Sequence, residues 1–422
     1  MSLNEKEINE RLPKNNRSSG RGKWIALVVA LLLITNLGSF VLGNKIAFSI
    51  PGSVASSPEF AAAMEGVKDI DKFKKLFQVR EILYKLYDGP MEDKDLLEGS
   101  LKGMTESLND PYTVFMNEKD FSDLMEKNEG AYVGLGIQVG VKDNKIVVIS
   151  VFDDSPAQKA GIISGDIIQK VNNIDLTGND LEKAVSIMKG KDKTEVTLGI
   201  YRESKGSFEV KAKRDTINMV TVKGEMLDKS TGYIQISMFD EHTGDQFNKK
   251  LSELKSKGMK GLVLDLRSNP GGLLSECVKV ASNFIDKGKV IVSTKDKYGA
   301  EEKYESVGGN SIGMPLVLLT DEGTASASEI VAGAIRDYKA GTLVGEKTFG
   351  KGVVQRVLDL KDGTGLKVTV SKYYTPNGEN IHKVGIAPEI EVKITDEVRE
   401  SYSREKDPQF QKALEILKDK VK

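Results

Sequence analysis

Cysteine and histidine are scarce in this sequence of 422 residues, and their scarcity excludes several kinds of site. The one cysteine, Cys277, excludes an intramolecular disulfide framework and a cysteine-rich metal site, and its apolar helical setting predicts a core position. The two histidines, His242 and His382, lack the HExxH spacing of a two-histidine metal site, so we expect no metal and no other cofactor. Neither histidine lies in a motif typical of a catalytic base.

Charge of one sign is not in excess either, because the net charge is −1. This balance gives no indication of a general affinity for nucleic acid, and we expect no nucleic-acid partner. Apolar residues make up 39% of the sequence, which is ample for packed cores, and the length predicts two or three domains.

A long uncharged run, WIALVVALLLITNLGSFVLGN, occupies residues 24–44. As a helix it would be about 31 Å long, enough to cross a bilayer. The preceding segment, 1–23, is basic, and the positive-inside rule places it in the cytoplasm and the rest of the chain outside. We therefore expect a single-pass anchor in the cell membrane. A cleaved signal peptide is the alternative, although no clear A-x-A site follows the run.

The region between the apolar run and residue 130 has two parts. Residues 45–58 form a linker rich in Pro, Ser and Gly, and residues 59–129 have a helical pattern. This pattern includes FKKLFQVREILYKLYDG and a second helix, around Lys94 to Leu108, that ends at NDPYTVFM. These helices are expected either to pack in a core or to form an intersubunit surface. The C-terminal segment, 396–422, again has the periodicity of an amphipathic helix.

Short strands and two helices are predicted at 130–214, in a block that resembles a PDZ domain. The segment SPAQKAGIISGDIIQKVN carries most of this resemblance. Gly134, Leu135, Gly136 and Ile137 occupy the place of the carboxylate-binding loop. Backbone N–H groups of such a loop can capture a C-terminal carboxylate while the bound peptide adds a strand. An ordinary glycine turn is the alternative interpretation of GLGI alone.

Residues 215–395 alternate strands and helices, as an α/β core does, and three strand ends lead into small, loop-forming residues. The first is LDLRSNPGGLL, in which Gly271 and Gly272 open a helix. Free N–H groups there can bind an anion or an oxyanion, whereas the simpler interpretation is a plain strand-to-helix turn.

The second strand end is EGTASASEIVAGAI, which places Ser326 at the start of a helix. Ser326 and Glu329 have the spacing of a capping box, so Ser326 could simply cap the helix. The functional alternative is a nucleophile at a strand–helix elbow, whose neighbouring N–H groups face developing negative charge. Ser328 is a rival nucleophile, but its place in the helix is typical of a packed or hydrogen-bonded serine.

The third strand end is GEKTFGKGVVQ, in which two glycines flank Lys351. Gly345 to Lys351 nearly match a phosphate-binding loop, but Gly352 stands where Ser or Thr is required, and a strand is predicted where that loop needs a helix. The simplest alternative is a solvated loop lysine. Lys347 is a rival base that lacks the flanking glycines.

A lysine can act as the base for a serine only when it is neutral, so its pKa must lie below its usual value. Burial between apolar walls lowers the pKa of a lysine. A neutral amide such as Gln355 can orient the amine without restoring the charge.

Ser326, Lys351 and Gln355, at these spacings, resemble the Ser–Lys–Gln arrangement of the C-terminal processing (tail-specific) peptidases. The matching motifs are GTASASEIVAGAIRDY, VGEKTFGKGVVQ, DLRSNPGG and YYTPNGENIHKVGIAPEIEV, and the resemblance covers nearly everything after the apolar run. The resemblance implies that Ser326 is the nucleophile of a serine endopeptidase, Lys351 its general base and Gln355 the partner that orients the base.

The resemblance also implies an oxyanion hole formed by Gly271 and the N–H of Ala327. Asp337, in the segment RDY, matches a position implicated in some family members, and Gly272 is expected to support the site. No metal or nucleotide is implied.

The fold implied by the resemblance is a crotonase/Clp-protease-like α/β core with an inserted PDZ domain and helical terminal segments. The chain would form a homodimer through its terminal helices. It would process proteins from their C-termini outside the cytoplasm, with the PDZ domain recognising the substrate C-terminus and gating the site; some relatives act in signalling. A catalytically silent, anchored PDZ protein is the alternative, and it predicts that Ser326 and Lys351 are dispensable.

Overall fold

The structure is a computed structural model that describes residues 70–395, 398 and 403–421. The predicted cytoplasmic segment, anchor and linker at 1–23, 24–44 and 45–58 lie outside the described residues. Over the described ranges, the structure contains no helix with both the length and the apolar character that a bilayer crossing requires.

The chain divides into two units between Glu92 and Asp93. In the first unit, the structure describes helix α1 (Ile70–Leu86), which has Asp71 in its first turn and Lys85 in its last, as the helix dipole favours. Its apolar side chains are largely exposed, including Phe77, which is 63% exposed.

The second unit begins with helix α2 (Asp93–Glu106), strand β1 (Val114–Met116) and helix α3 (Glu118–Glu129). The helix α3 starts at Asn117, whose side chain accepts the Asp120 N–H, and ends at Gly130, whose φ of 65° suits glycine. Strand β1 lies inside the region that was expected to be helical, so that expectation was wrong at this point. The strand forms because it pairs with a distant strand described below.

An antiparallel sheet with two short helices follows. Its strands are β3 (Ile137–Lys142), β4 (Lys145–Val151), β5 (Ile167–Val171), β6 (Ile174–Asp175), β7 (Glu195–Arg202) and β8 (Gly206–Lys213), and its helices are α4 (Pro156–Lys159) and α5 (Leu181–Met188). The strand order is β3-β4-β5-β7-β8, with β6 paired to β5, so β3 is an edge strand. Strands β2 (Ala131–Gly134) and β9 (Asp215–Asn218) pair antiparallel where the chain enters and leaves this block.

The largest hydrophobic core surrounds a six-stranded sheet. Its strands are β10 (Val222–Met226), β11 (Thr231–Ile236), β12 (Gly261–Asp265), β15 (Leu316–Thr320), β16 (Thr342–Gly345) and β19 (Ile390–Glu391), in the order β10-β11-β12-β15-β16-β19. All neighbours are parallel except β10 and β11. Both faces of the central strands are buried, which explains the apolar run at 316–319.

Helices cover both faces of this sheet, and the side chains of β15 show how. Leu316 and Leu318 join the cluster formed with α6 (Thr243–Ser256), α7 (Leu274–Ser282) and α8 (Ala327–Asp337), whereas Val317 and Leu319 pack with α9 (Pro408–Lys420). Cys277 lies in the first cluster and is fully buried, which confirms its predicted core position.

A second, antiparallel sheet joins the N-terminal part of this unit to the core. It contains β1, β13 (Val290–Asp296), β14 (Glu301–Glu305), β17 (Val353–Asp359) and β18 (Gly365–Tyr374). Strand β18 pairs with β1, β13 and β17, so it connects the segment before residue 117 with the strand that follows Lys351. The strand prediction for VVQRVLDL is confirmed by β17.

Candidate active site

The three loops singled out in the sequence meet at the carboxyl ends of the parallel strands β12, β15 and β16. The hydroxyl of Thr324 donates to the carbonyl oxygen of Leu266 at 2.9 Å, and the Ala325 N–H donates to the carbonyl oxygen of Asn269 at 3.0 Å. The Phe349 N–H donates to the carbonyl oxygen of Thr324 at 3.0 Å. The middle loop is thereby fastened to both of its neighbours.

Ser326 lies directly before α8 with φ 55° and ψ −116°. A non-glycine residue at such a φ is strained by about 1–3 kcal/mol, and such residues concentrate at functional sites. A serine that serves only as a helix cap usually has extended backbone angles instead. The backbone of Ser326 thus has the sharp turn expected of an elbow, although its N–H also donates to Glu329 Oε2 at 2.8 Å as in a capping box.

Glu329 is fully buried, and its carboxylate connects the Ser326 turn with the Lys351 loop. Oε2 accepts the N–H groups of Ser326 and Lys351 at 2.8 and 2.9 Å. Oε1 accepts the Thr348 hydroxyl at 2.5 Å and the Gly350 N–H at 2.8 Å. The capping-box spacing identified Glu329 only as a helix cap, and its link to the lysine loop was missed.

Lys351 is partly buried, and its Nζ lies 4.9 Å from the centre of the Tyr112 ring. Burial lowers the pKa of Lys351 below its usual value, and the positive charge of Lys367 lowers this pKa further. The carboxylates of Glu329 and Asp110 oppose the shift without reversing it. The environment therefore favours the neutral amine more than water does.

The rival residues have different surroundings. Ser328 is buried, and its hydroxyl donates to the carbonyl oxygen of Asn269 at 3.1 Å, as expected for a packed serine. Lys347 is exposed. The phosphate-loop alternative also fails, because Gly350 and Lys351 donate their N–H groups to a carboxylate and the following segment is a strand.

Gln355 lies on β17, next to a bulge in its pairing with β18. Its side-chain Nε2 donates to the carbonyl oxygen of Val353 at 3.3 Å. Among the hydrogen bonds of the described residues there is none between Gln355 and the Lys351 amine. The orienting role of Gln355 remains a prediction.

Gly271 lies against the Ser326 turn, with φ 98°. A Cβ at Gly271 would lie 2.8 Å from the Ala327 nitrogen and 2.8 Å from the Ser326 Cβ, so only glycine fits there. The Gly271 N–H, expected to point into an oxyanion hole, donates to Asn269 Oδ1 at 2.9 Å. Gly272 packs as tightly, since its Cβ would lie 2.0 Å from the carbonyl oxygen of Phe239.

Asp337 is not brought to this site. It lies at the last residue of α8, whereas Ser326 precedes the first, so the helix separates them by about 16 Å. Asp337 Oδ1 pairs with Arg336 at 2.7 Å, and Oδ2 accepts the Asn377 N–H at 2.9 Å. It therefore fastens the turn near Asn377 to the end of the helix.

The predicted peptide-binding loop lies between β2 and β3, beside α5. Gly134, Leu135, Gly136 and Ile137 line a pocket of about 90 Å³ together with residues of β3 and α5. The Leu135 carbonyl oxygen accepts the N–H of Ala157 at 2.9 Å, which fixes one side of the loop. Across the described ranges, no cluster of three or more His, Cys, Asp or Glu side chains could hold a metal ion.

Family models match three parts of the chain. "Peptidase family S41" matches residues 230–392, "PDZ domain" matches 133–212, and "Activating protease CtpB N-terminal domain" matches 34–120. These matches cover the candidate active site and the candidate peptide-binding loop separately.

Two curated relatives come from Bacillus subtilis (strain 168). The carboxy-terminal processing protease CtpA is 37% identical over 380 residues, which are 90% of this chain and 78% of the relative. The carboxy-terminal processing protease CtpB is 35% identical over 379 residues, 89% of this chain and 78% of the relative. Among solved structures, the photosystem II D1 C-terminal processing protease is 29% identical, with a TM-score of 0.44, over 75% of this chain and 86% of that one. The chain therefore belongs to the carboxy-terminal processing peptidases of family S41, which are serine-type proteases, and it carries a PDZ domain.

Proposed function

We propose that the protein is a membrane-anchored endopeptidase in which Ser326 is the nucleophile and Lys351 the general base. The observation that carries this proposal is the Glu329 carboxylate, which accepts the backbone N–H groups of both residues and holds the strained serine turn against the lysine loop. The partial burial of Lys351, which lowers its pKa, is the second support, because a base must be neutral before it accepts a proton.

The reaction would proceed through a covalent acyl-enzyme. The Lys351 amine takes the proton of the Ser326 hydroxyl as Oγ attacks the peptide carbonyl, and the resulting ammonium returns a proton to the departing amine. Water then attacks the ester as the same lysine takes a proton from it. The bond between the acyl carbon and Ser326 Oγ breaks, and the lysine returns the proton to Oγ. The N–H groups of Ala327 and Gly271 would stabilise the oxyanion, with Gln355 orienting the lysine, Gly272 supporting the turn and Asp337 acting only through the far end of α8.

The PDZ domain is proposed to capture the C-terminus of the substrate. Strand β3 is an edge strand, so an extended peptide can add to it, and the loop Gly134–Ile137 closes the pocket where a terminal carboxylate would lie. Such binding would deliver an unfolded or processed chain to the site and could gate its activity.

Residues 24–44 are proposed to anchor the protein, which would place residues 59–422 outside the cytoplasm. Residues 130–214 would be the PDZ domain, 215–395 the peptidase core and 396–422 a C-terminal helical segment. A homodimer through the terminal helices is also proposed. Its support is the exposed apolar face of α1, which includes Phe73 and Phe77 and which a second copy would cover.

The test is cleavage of casein, an unfolded protein, by the full-length chain in detergent. Ser326→Ala and Lys351→Ala should each abolish cleavage, whereas Ser328→Ala and Lys347→Ala serve as matched controls and should retain it. EDTA should have no effect on the wild-type protein. Activity that survives Ser326→Ala would contradict the nucleophile assignment. Wild-type protein that binds C-terminal peptides but cleaves nothing in their presence would favour the catalytically silent PDZ protein.

A further inference from the structure

Tyr112 contacts the candidate base although it lies far from the peptidase core in sequence. Its side chain is partly buried, and the centre of its ring is 4.9 Å from Lys351 Nζ. It belongs to the segment NDPYTVFM, which the sequence identified only as the end of a helix.

A hydrogen-bonded β-turn at residues 110–113 positions Tyr112 next to Lys351. The Thr113 N–H donates to the Asp110 carbonyl oxygen at 3.2 Å, with Pro111 at the second position, where its fixed φ suits a β-turn. Asp110 Oδ1 accepts the Tyr112 N–H at 3.0 Å, and Oδ2 accepts the Thr113 hydroxyl at 2.7 Å. The turn therefore restricts where the tyrosine ring can go.

The same turn is fastened to the sheet that carries the lysine loop. The Thr369 N–H on β18 donates to the Thr113 hydroxyl at 3.0 Å, and β1 pairs with β18 through Val114 and Lys367. Strand β18 also pairs along β17, which starts at Val353, two residues after the lysine. The ring and the amine are thus positioned by neighbouring strands of one sheet.

Three charged side chains and the uncharged ring of Tyr112 surround the lysine amine. Lys367, Glu329 and Asp110 act on it electrostatically. Burial raises the pKa of the Tyr112 phenol, and the negative charges of Asp110 and Glu329 raise this pKa further, so Tyr112 stays uncharged.

The His382 ring packs edge-to-face against the Tyr112 ring, with ring centres 6.3 Å apart and an angle of 66° between the ring planes. Its Nδ1 is buried and makes no hydrogen bond to the described residues. Burial lowers the pKa of His382, and Lys383 and Lys372 lower this pKa further, so the imidazole adds no positive charge near neutral pH.

We propose that Tyr112 is a positioning residue for the base: its ring excludes water from the face of the Lys351 amine that it covers. This inference rests on the proposed function of Lys351. Water stabilises an ammonium ion more than a neutral amine, so removing water favours the amine. The face of the ring also attracts the ammonium that forms when the lysine takes the serine proton, and this attraction partly opposes the effect of excluding water.

The test measures how fast a fluorophosphonate probe labels Ser326 between pH 6 and pH 10 in the full-length chain. In this reaction the serine Oγ forms a bond to phosphorus, fluoride leaves and the lysine takes the serine proton, so the rate follows the fraction of neutral lysine. The acid limb of this profile is the pH range in which the rate rises as Lys351 loses its proton. In Tyr112→Ala, we expect this limb to move to higher pH. Below the limb the rate would fall about tenfold for each pH unit of movement, and the loss would disappear at high pH.

Three variants make the result specific. Tyr112→Phe keeps the ring and should keep the wild-type limb. Tyr298→Ala is the matched control, because Tyr298 also lies over a lysine, 5.0 Å from Lys297 Nζ, but is 83% exposed and outside the site. If Tyr112→Ala does not fold, Tyr112→Gln replaces it, since its polar side chain would also bring water to the amine.

An unmoved acid limb in the folded alanine or glutamine variant would overturn the role of Tyr112. The Lys351→Ala variant separates this outcome from a failure of the proposed function. If Lys351→Ala abolishes labelling while Tyr112→Ala leaves the limb in place, only the inference about Tyr112 is wrong. If Lys351→Ala is labelled at the wild-type rate, the base assignment itself is wrong.

Discussion

Replacement of Glu329 by glutamine tests how the candidate nucleophile and base are held together. The buried carboxylate accepts four hydrogen bonds, from the N–H groups of Ser326, Gly350 and Lys351 and from the Thr348 hydroxyl. A glutamine side chain keeps one oxygen, so its NH₂ group would face two of these donors. Two hydrogen bonds to a charged group would be lost, and the remaining two would be weakened.

The magnitude follows from the number of lost contacts. A hydrogen bond to a charged group contributes about 1.5–3 kcal/mol, so two lost contacts lower the free energy of unfolding by about 3–6 kcal/mol. In a domain of about 180 residues, such as the proposed peptidase core, 1 kcal/mol corresponds to roughly 2–4 °C, which predicts a fall in the Tm of this domain on the order of 10 °C. Displacement of Ser326 from Lys351 by about 1 Å should also slow fluorophosphonate labelling by about 100-fold.

Differential scanning fluorimetry and probe labelling of the full-length chain measure both effects. The matched control is Glu379→Gln. Glu379 is exposed and pairs with Arg336 at 2.6 Å, so its replacement should change the stability by less than about 0.5 kcal/mol. A Glu329→Gln variant with wild-type Tm and wild-type labelling would refute the reasoning, because the carboxylate would then not be holding the two loops.

Further predictions concern the base, the oxyanion site and the peptide-binding loop. Lys367→Ala removes a positive charge that lowers the pKa of Lys351, so the ammonium form would persist to higher pH. The acid limb of the labelling profile should therefore move to higher pH, and an unmoved limb would contradict this. Gly271→Ala places a Cβ 2.8 Å from the Ser326 Cβ. Because this contact must displace the serine by about 1 Å, casein cleavage should fall by about 100-fold, and activity close to wild type would exclude Gly271 from the site. In fluorescence anisotropy, peptides with a free C-terminal carboxylate should bind at least about tenfold more tightly than amidated ones, and equal affinities would argue against carboxylate capture.

The sequence predicted the parts of the fold whose signals are local. The alternation of strands and helices after Thr216 corresponds to the parallel sheet, and the apolar run at 316–319 to its central buried strand. The small residues around Ser326 predicted a sharp turn. In the structure Ser326 has a strained positive φ, which a serine that only caps a helix would not need. These features were predictable because a few consecutive residues determine each of them.

Contacts between distant segments were not predictable in the same way. Strand β1 has three residues and no strong strand pattern, and it exists because it pairs with β18. The contact of Tyr112 with Lys351 depends on that pairing, so neither residue alone indicates it. The second role of Glu329 was hidden for a related reason, since its spacing to Ser326 already had a sufficient local explanation.

The hydrogen bond between Asn269 and Gly271 bears on how the proposed oxyanion site would discriminate between substrate and transition state. Asn269 is fully buried, its Nδ2 donates to the carbonyl oxygen of Ile236 at 2.8 Å, and its Oδ1 holds the Gly271 N–H. A substrate carbonyl that took this N–H would exchange one neutral hydrogen bond for another and would gain little. A developing oxyanion forms a hydrogen bond about twice as strong, so the exchange becomes favourable only as the negative charge appears. An N–H that is already satisfied in the resting enzyme would therefore contribute to binding the transition state without strengthening the binding of the substrate, which is the difference that accelerates a reaction.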